Sequence, residues 1–378
     1  MSKIKICHFI LGFHNGGVEK VIENYFSNMD RSQYELHIVT HMEPDLNRQR
    51  IFENMGFIIH QLSYVHGHKV SKKNIKEYDN FFKQNKFDIV HNHFPENLLP
   101  LLFAKRYKVP IRILHSHSDY KNAFKEKHIW IKGAYLIGLR INTYNATNYF
   151  ACGKVAAESV FGKKNINKTT IIINAIDTEK FKYDLLTRKK IRDQLKVNDS
   201  LVLGHTGRYE DIKIKNQSFV LKVFKEVLKT EPNARLLMIG EGKLRKDIMK
   251  LADDMEISDK VIFTGAVNNV YAYLQALDVF IFPSKFEGLG IAAVEAQCSG
   301  LPVIASSAIP EEANLTSVFH SISLSSPIEN WAELVMNVAA HKRVDQSQII
   351  KEQGYDIYQA ASKLEKLYEK LYTERNKR

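Results

Sequence analysis

The sequence predicts an α/β protein with two doubly wound domains, and two observations support that prediction. Short runs rich in Val, Ile and Leu alternate along the chain with longer segments of helical periodicity, a pattern typical of parallel sheets buried on both faces. These runs form two series, and the second begins near residue 170. The length of 378 residues is sufficient for two domains that each have their own core.

The predicted strands of the first series are Ile4–Ile10, Tyr34–Thr40, Phe57–Leu62, Asp88–His91, Ile111–His115 and Tyr149–Cys152. Those of the second series are Thr170–Ile173, Leu201–His205, Ala234–Ile239, Val261–Thr264, Val279–Pro283 and Pro302–Ala305. Because the first sheet is expected to be complete by Cys152, we place the boundary after residue 173, which gives domains 1–173 and 174–355. Residues 356–378 carry apolar side chains at helical spacing and are predicted to form one amphipathic terminal helix.

Composition excludes several classes of protein. A hydrophobic fraction of 44% and a charged fraction of 25% are ordinary for a globular protein, so extended disorder is excluded. No apolar run approaches the ~18–20 residues that span a bilayer, and the start of the chain is interpreted as a strand and glycine turn rather than a signal peptide. Cys7, Cys152 and Cys298 are too widely spaced for a disulfide framework or a cysteine zinc site, which favours a cytoplasmic location.

Positive charge is concentrated in the first half of the chain. The net charge is +12, and residues 1–170 contain 25 Lys and Arg against 14 Asp and Glu, whereas residues 171–378 contain 29 against 28. Between Lys105 and Arg140 the basic residues interleave with large apolar ones, which suits peripheral contact with an anionic membrane. A solvated helix whose lysines lie along apolar surface is the alternative. Nucleic acid is disfavoured as a partner, because no zinc-finger or RNA-recognition signature is present.

The most informative motif is FPSKFEGLGIAAVEAQCSGLPVIAS at residues 282–306. It predicts a buried strand, a loop with Gly288 and Gly290, and a helix that begins at Ile291. Amides at that helix start, together with the helix dipole, favour binding of phosphate. Glu287 and Glu295 lie on either side of the loop, where carboxylates can accept hydrogen bonds from sugar hydroxyls. For either glutamate alone, an acidic residue that only stabilises a helix start is the alternative.

A second motif, LVLGHTGRYEDIKIKNQSF, places cations after another buried strand. Arg208 and Lys215 both follow the carboxyl end of that strand, where they can neutralise a diphosphate leaving group. Lys213 is the rival of Lys215, because the loop can be aligned two residues differently. A basic, solvated loop without a ligand is the other interpretation.

These motifs resemble those of the GT-B retaining glycosyltransferases of the large group 1 family, also called family 4. The resemblance extends over essentially the whole chain and is most specific in its second half. It implies that Glu287 contacts hydroxyls of the donor sugar and that Glu295 binds the nucleotide ribose. It further implies that the diphosphate is held by backbone amides of Gly288, Leu289, Gly290 and Ile291.

Two shorter loops resemble the family's base-binding turns. One is MIGEGKLR, with Gly240 and Gly242, and the other is FTGAV, with Ala266 and Val267. The first pair of glycines also suggests a dinucleotide fingerprint. The third glycine of that fingerprint and its acidic residue are missing, so NAD binding is disfavoured.

The N-terminal half resembles the acceptor side of the same family. Gly16 and Gly17 belong to a strand-to-helix turn that allows the backbone to approach a ligand closely. His117 is our choice for a histidine that donates a hydrogen bond to the donor sugar or a phosphate oxygen, with His115 second because the doublet leaves the register ambiguous. His91 and His93, at the end of the preceding strand, are expected to join the acceptor pocket.

Two His-x-His pairs, at residues 91–93 and 115–117, raise the alternative of a metal site. We expect none, because no acidic or cysteine partner motif accompanies them. Asp-x-Asp is absent from the whole chain, and the metal-dependent GT-A transferases use that motif to hold a cation. The expectation is therefore that neither a metal nor a cofactor is required, and that Arg208, Lys215 and the helix start neutralise the diphosphate.

The resemblance implies two Rossmann-like domains facing across a cleft, with the terminal helix crossing back to the N-terminal domain. It implies retaining transfer from a nucleotide-sugar donor, expected to be a UDP-sugar, to a saccharide. The acceptor is expected to be a lipid-linked intermediate of capsule or exopolysaccharide synthesis at the inner membrane face. The same fold also occurs in nucleotide-sugar 2-epimerases, and a non-catalytic sugar-binding module is a further alternative. Donor sugar, linkage and oligomeric state are not determined by the sequence.

Overall fold

The computed structural model describes residues 3–13, 17–43, 45–65, 70–118, 120, 129–209 and 212–375. The chain divides into two compact units. Unit 1 contains Met1–Ala175 and Ile357–Arg378, and unit 2 contains Ile176–Asp356. Each unit is built on one parallel sheet with apolar clusters on its faces, so the predicted doubly wound α/β fold is confirmed.

The seven-stranded sheet of unit 1 has the order β3-β2-β1-β4-β5-β6-β7. Its strands are β1 (Ile4–Phe9), β2 (Tyr34–Thr40), β3 (Phe57–Gln61), β4 (Ile89–Asn92), β5 (Ile111–Ser116), β6 (Asn148–Ala151) and β7 (Thr169–Ile171). The order changes direction between β1 and β4, and open α/β sheets bind ligands beyond the carboxyl ends of strands at such a point. His8 on β1 is paired in register with His91 on β4.

Strand β7 corrects two expectations. The run at residues 170–173 was expected to open the second sheet, and the first sheet was expected to be complete by Cys152; both predictions are wrong. Residues 169–171 pair instead with residues 149–151 of β6 and form the edge of the first sheet. A short strand of Thr and Ile fits the edge of either sheet equally well, so its sequence could not decide between them.

Helices cover both faces of the unit 1 sheet. They are α1 (Gly17–Ser27), α2 (Leu46–Asn54), α3 (Lys72–Gln84), α4 (Leu99–Arg106), α5 (Ile129–Asn145), α6 (Lys154–Phe161) and, at the end of the chain, α16 (Ile357–Arg375). Helix α16 packs against α1 and buries Leu364 and Tyr368 in the same apolar cluster as Phe26. The predicted amphipathic terminal helix is therefore confirmed.

The six-stranded sheet of unit 2 has the order β10-β9-β8-β11-β12-β13 and is also parallel. Its strands are β8 (Val202–Thr206), β9 (Arg235–Ile239), β10 (Val261–Gly265), β11 (Val279–Phe282), β12 (Val303–Ser306) and β13 (Phe319–Ile322). Sequence analysis missed β13, because this edge strand is only partly buried and includes a histidine and a serine. Central strands, which are buried on both faces, carry a stronger apolar signal than half-exposed edge strands.

The helices of unit 2 are α7 (Thr178–Phe181), α8 (Leu185–Leu195), α9 (Ile212–Lys215), α10 (Gln217–Val227), α11 (Arg245–Asp254), α12 (Val270–Ala276), α13 (Ile291–Cys298), α14 (Ile328–Ala339) and α15 (Ser347–Glu352). Asp278, just before β11, fixes α8 to the sheet. Its carboxylate accepts hydrogen bonds from the Arg192 guanidinium at 3.1 Å and from the Val202 amide at 2.8 Å. This places the amino ends of β8 and β11 together, so their carboxyl ends also lie together.

Within the described residues, no helix combines the length and apolar character needed to cross a membrane. All three cysteines are buried, and no disulfide joins them.

Candidate active site

The loops after β8 and β9 are joined by backbone hydrogen bonds. The Gly207 amide donates to the Ile239 carbonyl, and the Tyr209 amide donates to the Glu241 carbonyl, both at 3.0 Å. At Gly240, where φ is +143°, an added Cβ would lie 2.0 Å from the Gly207 carbonyl oxygen. Only glycine fits there, and the close approach holds the two loops together at the carboxyl edge of the sheet.

The third loop of this edge follows β10. The Gly240 amide donates to the Gly265 carbonyl at 3.0 Å. Gly242 has a φ of +152°, and an added Cβ would lie 2.7 Å from the Tyr209 backbone. Ala266 is exposed and Val267 is half-buried. The four residues predicted to contact the base thus lie on neighbouring loops of unit 2.

The two motifs with the strongest functional signal meet through one ion pair. The Lys215 ammonium donates to Glu287 Oε1 at 2.6 Å, and both side chains are largely shielded from solvent. Their backbones are also joined, because the Lys285 amide donates to the Ile214 carbonyl at 2.9 Å and the Asn216 side chain donates to the Pro283 carbonyl at 3.2 Å. The cation motif after β8 and the glutamate motif after β11 therefore form one site.

Arg208 has a different environment. Its backbone carbonyl accepts a hydrogen bond from the Gln217 side chain at 3.0 Å, which fixes the loop. Its side chain is exposed, and among the described residues no ion pair or hydrogen bond involves its guanidinium. A cation held by its backbone and without an internal partner is available to an anionic ligand.

Helix α13 starts as the sequence predicts. Gly290 adopts φ +88° and an added Cβ would lie 3.2 Å from the Phe282 ring, so glycine allows the sharp turn into the helix. Leu289 is buried beneath the loop. No hydrogen bond joins the amides of residues 288–291 to another described residue, and free amides at a helix start favour an anion. Glu295 is half-buried in the second turn.

The structure describes only part of the predicted N-terminal turn, because Gly16 lies outside the described residues. Gly17 is exposed at the start of α1, and an added Cβ would meet nothing within 4 Å. Packing therefore does not require glycine at this position. The basic stretch at residues 121–128 also lies outside the described residues.

The predicted histidines are brought together in unit 1, with one that sequence analysis missed. The carboxyl ends of β1, β4 and β5 place five buried imidazoles side by side, those of His8, His91, His93, His115 and His117. His93 Nδ1 lies 2.8 Å from His117 Nε2, and His91 Nε2 lies 3.0 Å from His115 Nδ1. The signal that could have identified His8 is the pairing of the first and fourth strands that is usual in this fold.

Burial keeps these imidazoles neutral. Desolvation lowers the pKa of His8 and of His117 to about 3. It also lowers the pKa of His91, His93 and His115 well below 6.5, and repulsion by neighbouring imidazolium charge adds to the shift. Near neutral pH each ring can therefore act only as a neutral hydrogen-bond donor and acceptor.

Two parallel-sheet units, with joined glycine loops and a helix that starts with free amides in the second, are the architecture of a GT-B fold. The crystal structure of Anabaena HepE in complex with UDP-glucose superposes with a TM-score of 0.75 over 97% of this chain and 100% of that chain, at 15% identity. Residues 187–335 match the family described as glycosyl transferases group 1, and residues 15–180 match glycosyltransferase family 4. The chain thus belongs to the group 1 type of glycosyltransferase and is a hexosyltransferase.

Curated relatives agree with this assignment. The putative glycosyltransferase EpsF of Bacillus subtilis is 29% identical over 97% of both chains. The UDP-Gal:α-D-GlcNAc-diphosphoundecaprenol α-1,3-galactosyltransferase of Escherichia coli is 26% identical over 81% of this chain and 80% of its own length. The capsular polysaccharide biosynthesis glycosyltransferase CapH of Staphylococcus aureus is 25% identical over 90% and 92%. All three relatives are named as glycosyltransferases, and CapH is named for capsular polysaccharide biosynthesis.

Proposed function

We propose that the protein is a retaining glycosyltransferase that moves a sugar from a UDP-sugar to a lipid-linked saccharide during capsule or exopolysaccharide synthesis. The observation that carries the proposal is the Lys215–Glu287 ion pair at 2.6 Å. The pair brings together an ammonium, which can bind a diphosphate, and a carboxylate, which can accept hydrogen bonds from sugar hydroxyls, and this combination supports a nucleotide-sugar site.

The donor would bind on unit 2. Arg208, Lys215 and the amides of residues 288–291 would neutralise the diphosphate as it leaves, which lowers the barrier electrostatically. Glu295 would bind the ribose, and the loops that contain Gly240, Gly242, Ala266 and Val267 would contact the base. UDP is preferred as the nucleotide because HepE forms a complex with UDP-glucose and the E. coli relative is a UDP-Gal-dependent galactosyltransferase.

Transfer on this scheme needs no divalent cation, since side-chain cations and backbone amides supply the positive charge around the diphosphate. Glu287 and His117 would position the sugar. Attack by the acceptor hydroxyl on the face that the diphosphate leaves, with the departing phosphate accepting its proton, would retain the anomeric configuration. Glu287 is not assigned as a nucleophile on this scheme, because its carboxylate is already engaged by Lys215.

The acceptor would bind on unit 1, near Gly17 and the histidines. A lipid-linked acceptor would require this unit to reach a membrane, and the surface between α4 and α5 has suitable chemistry. Leu136, Ile137 and Tyr144 are strongly exposed there, and Lys105 lies 4.0 Å above the Tyr144 ring. With the exposed Arg140, this surface combines positive charge and apolar side chains, as a surface that binds anionic lipid does.

The donor proposal is tested by incubating the purified protein with UDP-glucose, UDP-galactose, their N-acetyl forms and GDP-mannose in EDTA. We expect one UDP-sugar to raise the melting temperature and to release UDP faster when a lipid-diphosphate saccharide is added. Conversion of the donor to an epimer without acceptor would contradict the proposal and indicate the epimerase alternative. Donor binding without any UDP release would indicate a non-catalytic module.

The membrane proposal is tested by flotation with vesicles of phosphatidylglycerol and phosphatidylcholine. We expect binding to anionic vesicles only, and loss of binding in Lys105→Glu/Arg140→Glu. The matched control is Lys189→Glu/Lys190→Glu on α8, which makes the same charge change beside the exposed Leu185 and Leu186 of unit 2. Equal loss of binding in the two double variants would contradict a specific surface on unit 1.

A further inference from the structure

Three of the buried histidines form a continuous hydrogen-bonded chain. His8 Nδ1 lies 2.9 Å from His93 Nε2, and His93 Nδ1 lies 2.8 Å from His117 Nε2. The two outer nitrogens, His8 Nε2 and His117 Nδ1, are buried and have no hydrogen-bond partner among the described residues. The chain runs from β1 through the end of β4 to the residue that follows β5.

The ring protons of these three histidines can be counted. A neutral imidazole carries one N–H and one unprotonated nitrogen. Three neutral rings therefore supply three N–H groups, and the two hydrogen bonds use two of them. The remaining N–H must lie at one end of the chain and the remaining bare nitrogen at the other. Both hydrogen bonds must also have the same direction, because His93 has only one proton to donate.

The surroundings of His8 select the direction. His8 lines a small cavity together with the apolar Val21, Ile22 and Phe26, with Tyr25 and Tyr368, and with the neighbouring imidazoles. The Phe26 ring lies 5.0 Å away, edge to face, and the Tyr368 hydroxyl is already engaged by His91. The nearby hydroxyl of Tyr25 is already engaged, since it donates to the Ile173 carbonyl. An N–H left without an acceptor here would cost about 1–3 kcal/mol. His117 is the more exposed of the two outer rings, at 9% against 1% for His8, so an N–H at His117 can reach an acceptor on a ligand. The bare nitrogen is therefore better placed at His8, and the unpaired N–H at His117.

We propose that His8 and His93 are positioning residues that hold His117 as the neutral tautomer with its proton on Nδ1. His8 Nδ1–H donates to His93 Nε2, and His93 Nδ1–H donates to His117 Nε2. His117 is left as an obligatory donor through Nδ1. The final step rests on the proposed function: His117 Nδ1–H donates to a hydroxyl or phosphate oxygen of the nucleotide-sugar.

A second row of rings, formed by His91 and His115, packs against the hydrogen-bonded histidines and helps to keep them neutral. His91 Nδ1 lies 2.7 Å from the Tyr368 hydroxyl, and His91 stacks on His93 with ring centroids 4.0 Å apart. The ring centroids of His115 and His117 are similarly 3.9 Å apart. A proton added to either row would place a buried charge directly against the other row, which is unfavourable in an apolar interior.

A bound metal ion is the competing explanation for so many imidazoles. Two overlapping groups, His8, His91 and His93, and His93, His115 and His117, have ring nitrogens within 4.8 Å of one another. Among the described residues, neither group includes a carboxylate or thiolate to offset the charge of a buried dication. Coordination would also require the lone pairs that the hydrogen-bonded chain uses.

The tautomer is tested by NMR of the full chain labelled with ¹⁵N in the imidazole rings, where Nδ1–H and Nε2–H forms give distinct coupling patterns. His117→Gln assigns the signal. We expect Nδ1–H at His117 in the unmodified protein, and a mixture of tautomers in His93→Phe. His60→Gln is the matched control, because it removes another pair of hydrogen-bonded imidazoles in unit 1, the partly buried pair of His37 and His60 at 2.9 Å.

Three results would overturn the proposal: an Nε2–H tautomer at His117, an imidazolium at neutral pH, or stoichiometric zinc in the purified protein that shifts these signals when chelated. Because the NMR measurement needs no substrate, its outcome is independent of the transferase proposal. If the tautomer is as expected but no nucleotide-sugar is turned over, the proposed function fails. The assigned direction of the hydrogen-bonded histidines and the tautomer of His117 then still stand.

The positioning role is tested by kinetics. We expect His93→Phe to lower kcat by at least about tenfold, equivalent to the loss of about one hydrogen bond in the transition state, and also to lower the melting temperature, because His8 Nδ1 and His117 Nε2 lose their buried partner. His93→Gln, whose amide both donates and accepts, should restore part of the rate, and His60→Gln should retain it. Equal rates for His93→Phe and His93→Gln would contradict a role through hydrogen bonding. His8→Phe provides the same comparison if His93→Phe does not fold.

Discussion

Lys215 and Glu287, 72 residues apart in the chain, are joined by a hydrogen-bonded ion pair at 2.6 Å. The pair lies where the loop after β8 meets the loop before α13, and both side chains are mostly buried, at 25% and 14% exposure. A carboxylate next to a diphosphate would otherwise be repelled. The lysine offsets that repulsion, so one arrangement can hold both the sugar and the phosphates of a donor.

Lys215→Met is expected to reduce kcat/KM for the donor by at least about a hundredfold. It removes a cation that is proposed to bind the diphosphate, and it leaves Glu287 without its partner. Lys213→Met is the matched control, since it makes the same change two residues away. Steady-state kinetics with the preferred UDP-sugar measures both variants. A larger loss in Lys213→Met than in Lys215→Met would assign the role to the rival lysine.

Arg208→Met should weaken UDP binding by about tenfold or more without lowering the melting temperature, because its exposed guanidinium makes no internal contact with the described residues. Arg343→Met is expected to behave in the opposite way. The half-buried Arg343 guanidinium donates two hydrogen bonds to the Ser299 carbonyl, at 2.7 and 3.1 Å, so its loss removes the side-chain donor to the carbonyl of a buried residue. Calorimetric titration with UDP and thermal denaturation separate the two effects.

Gly17→Ala should leave the free energy of unfolding unchanged, since an added Cβ meets nothing within 4 Å. A fall in kcat/KM for the acceptor in this stable variant would indicate that the ligand approaches the backbone at this turn. Gly240→Ala is the contrasting change, because its Cβ would lie 2.0 Å from the Gly207 carbonyl oxygen. We expect that variant to be clearly destabilised, and equal unfolding free energies for the two would contradict the described loop packing.

Acidification should destabilise unit 1 through its neutral histidines. In the folded state desolvation lowers the pKa of His8 and of His117 to about 3, whereas in the unfolded state it is about 6.5. The unfolded chain therefore binds more protons below pH 6.5. The stabilisation is fully present above that pH and is lost as the pH falls towards 3, by about 1.4 kcal/mol per pH unit for each histidine.

His8→Phe should reduce that slope by about 1.4 kcal/mol per pH unit between pH 6.5 and 4. Native-state hydrogen exchange resolves the effect, because it reports the unfolding free energy of unit 1 amides separately from that of unit 2 amides. Above pH 7 the slopes of the two proteins should coincide, since neither state takes up a proton there. Identical slopes below pH 6 would contradict a neutral, buried His8.

The fold was largely predictable because parallel strands buried on both faces leave a simple apolar signal. Strand β2, for example, has the predicted bounds Tyr34–Thr40. The signal failed at the edges of both sheets, where β7 was assigned to the wrong sheet and β13 was missed. An edge strand is half-exposed and its sequence does not specify which neighbour it pairs with. Strand pairing is a property of the tertiary structure at those positions.

The candidate site was predictable where one motif contains its own geometry. The glycine turn and helix start at Gly290 and Ile291 follow from local sequence. Contacts between distant segments did not follow: neither the Lys215–Glu287 pair nor the chain from His8 to His117 is visible before the strand order is known. His8 in particular has no motif of its own, and only its pairing with β4 places it beside His91.

The stereochemistry of sugar transfer provides the decisive test of the proposed retaining, metal-independent reaction. The protein is incubated in EDTA with its preferred UDP-sugar and a lipid-diphosphate saccharide, and the anomeric proton of the new linkage is measured by NMR. A retaining, metal-independent transferase should form an α-linked product from the α-linked donor, at the same rate with and without added Mg²⁺ or Mn²⁺, and Lys215→Met should form none. A β-linked product, or transfer that occurs only with a divalent cation, would contradict the proposed reaction.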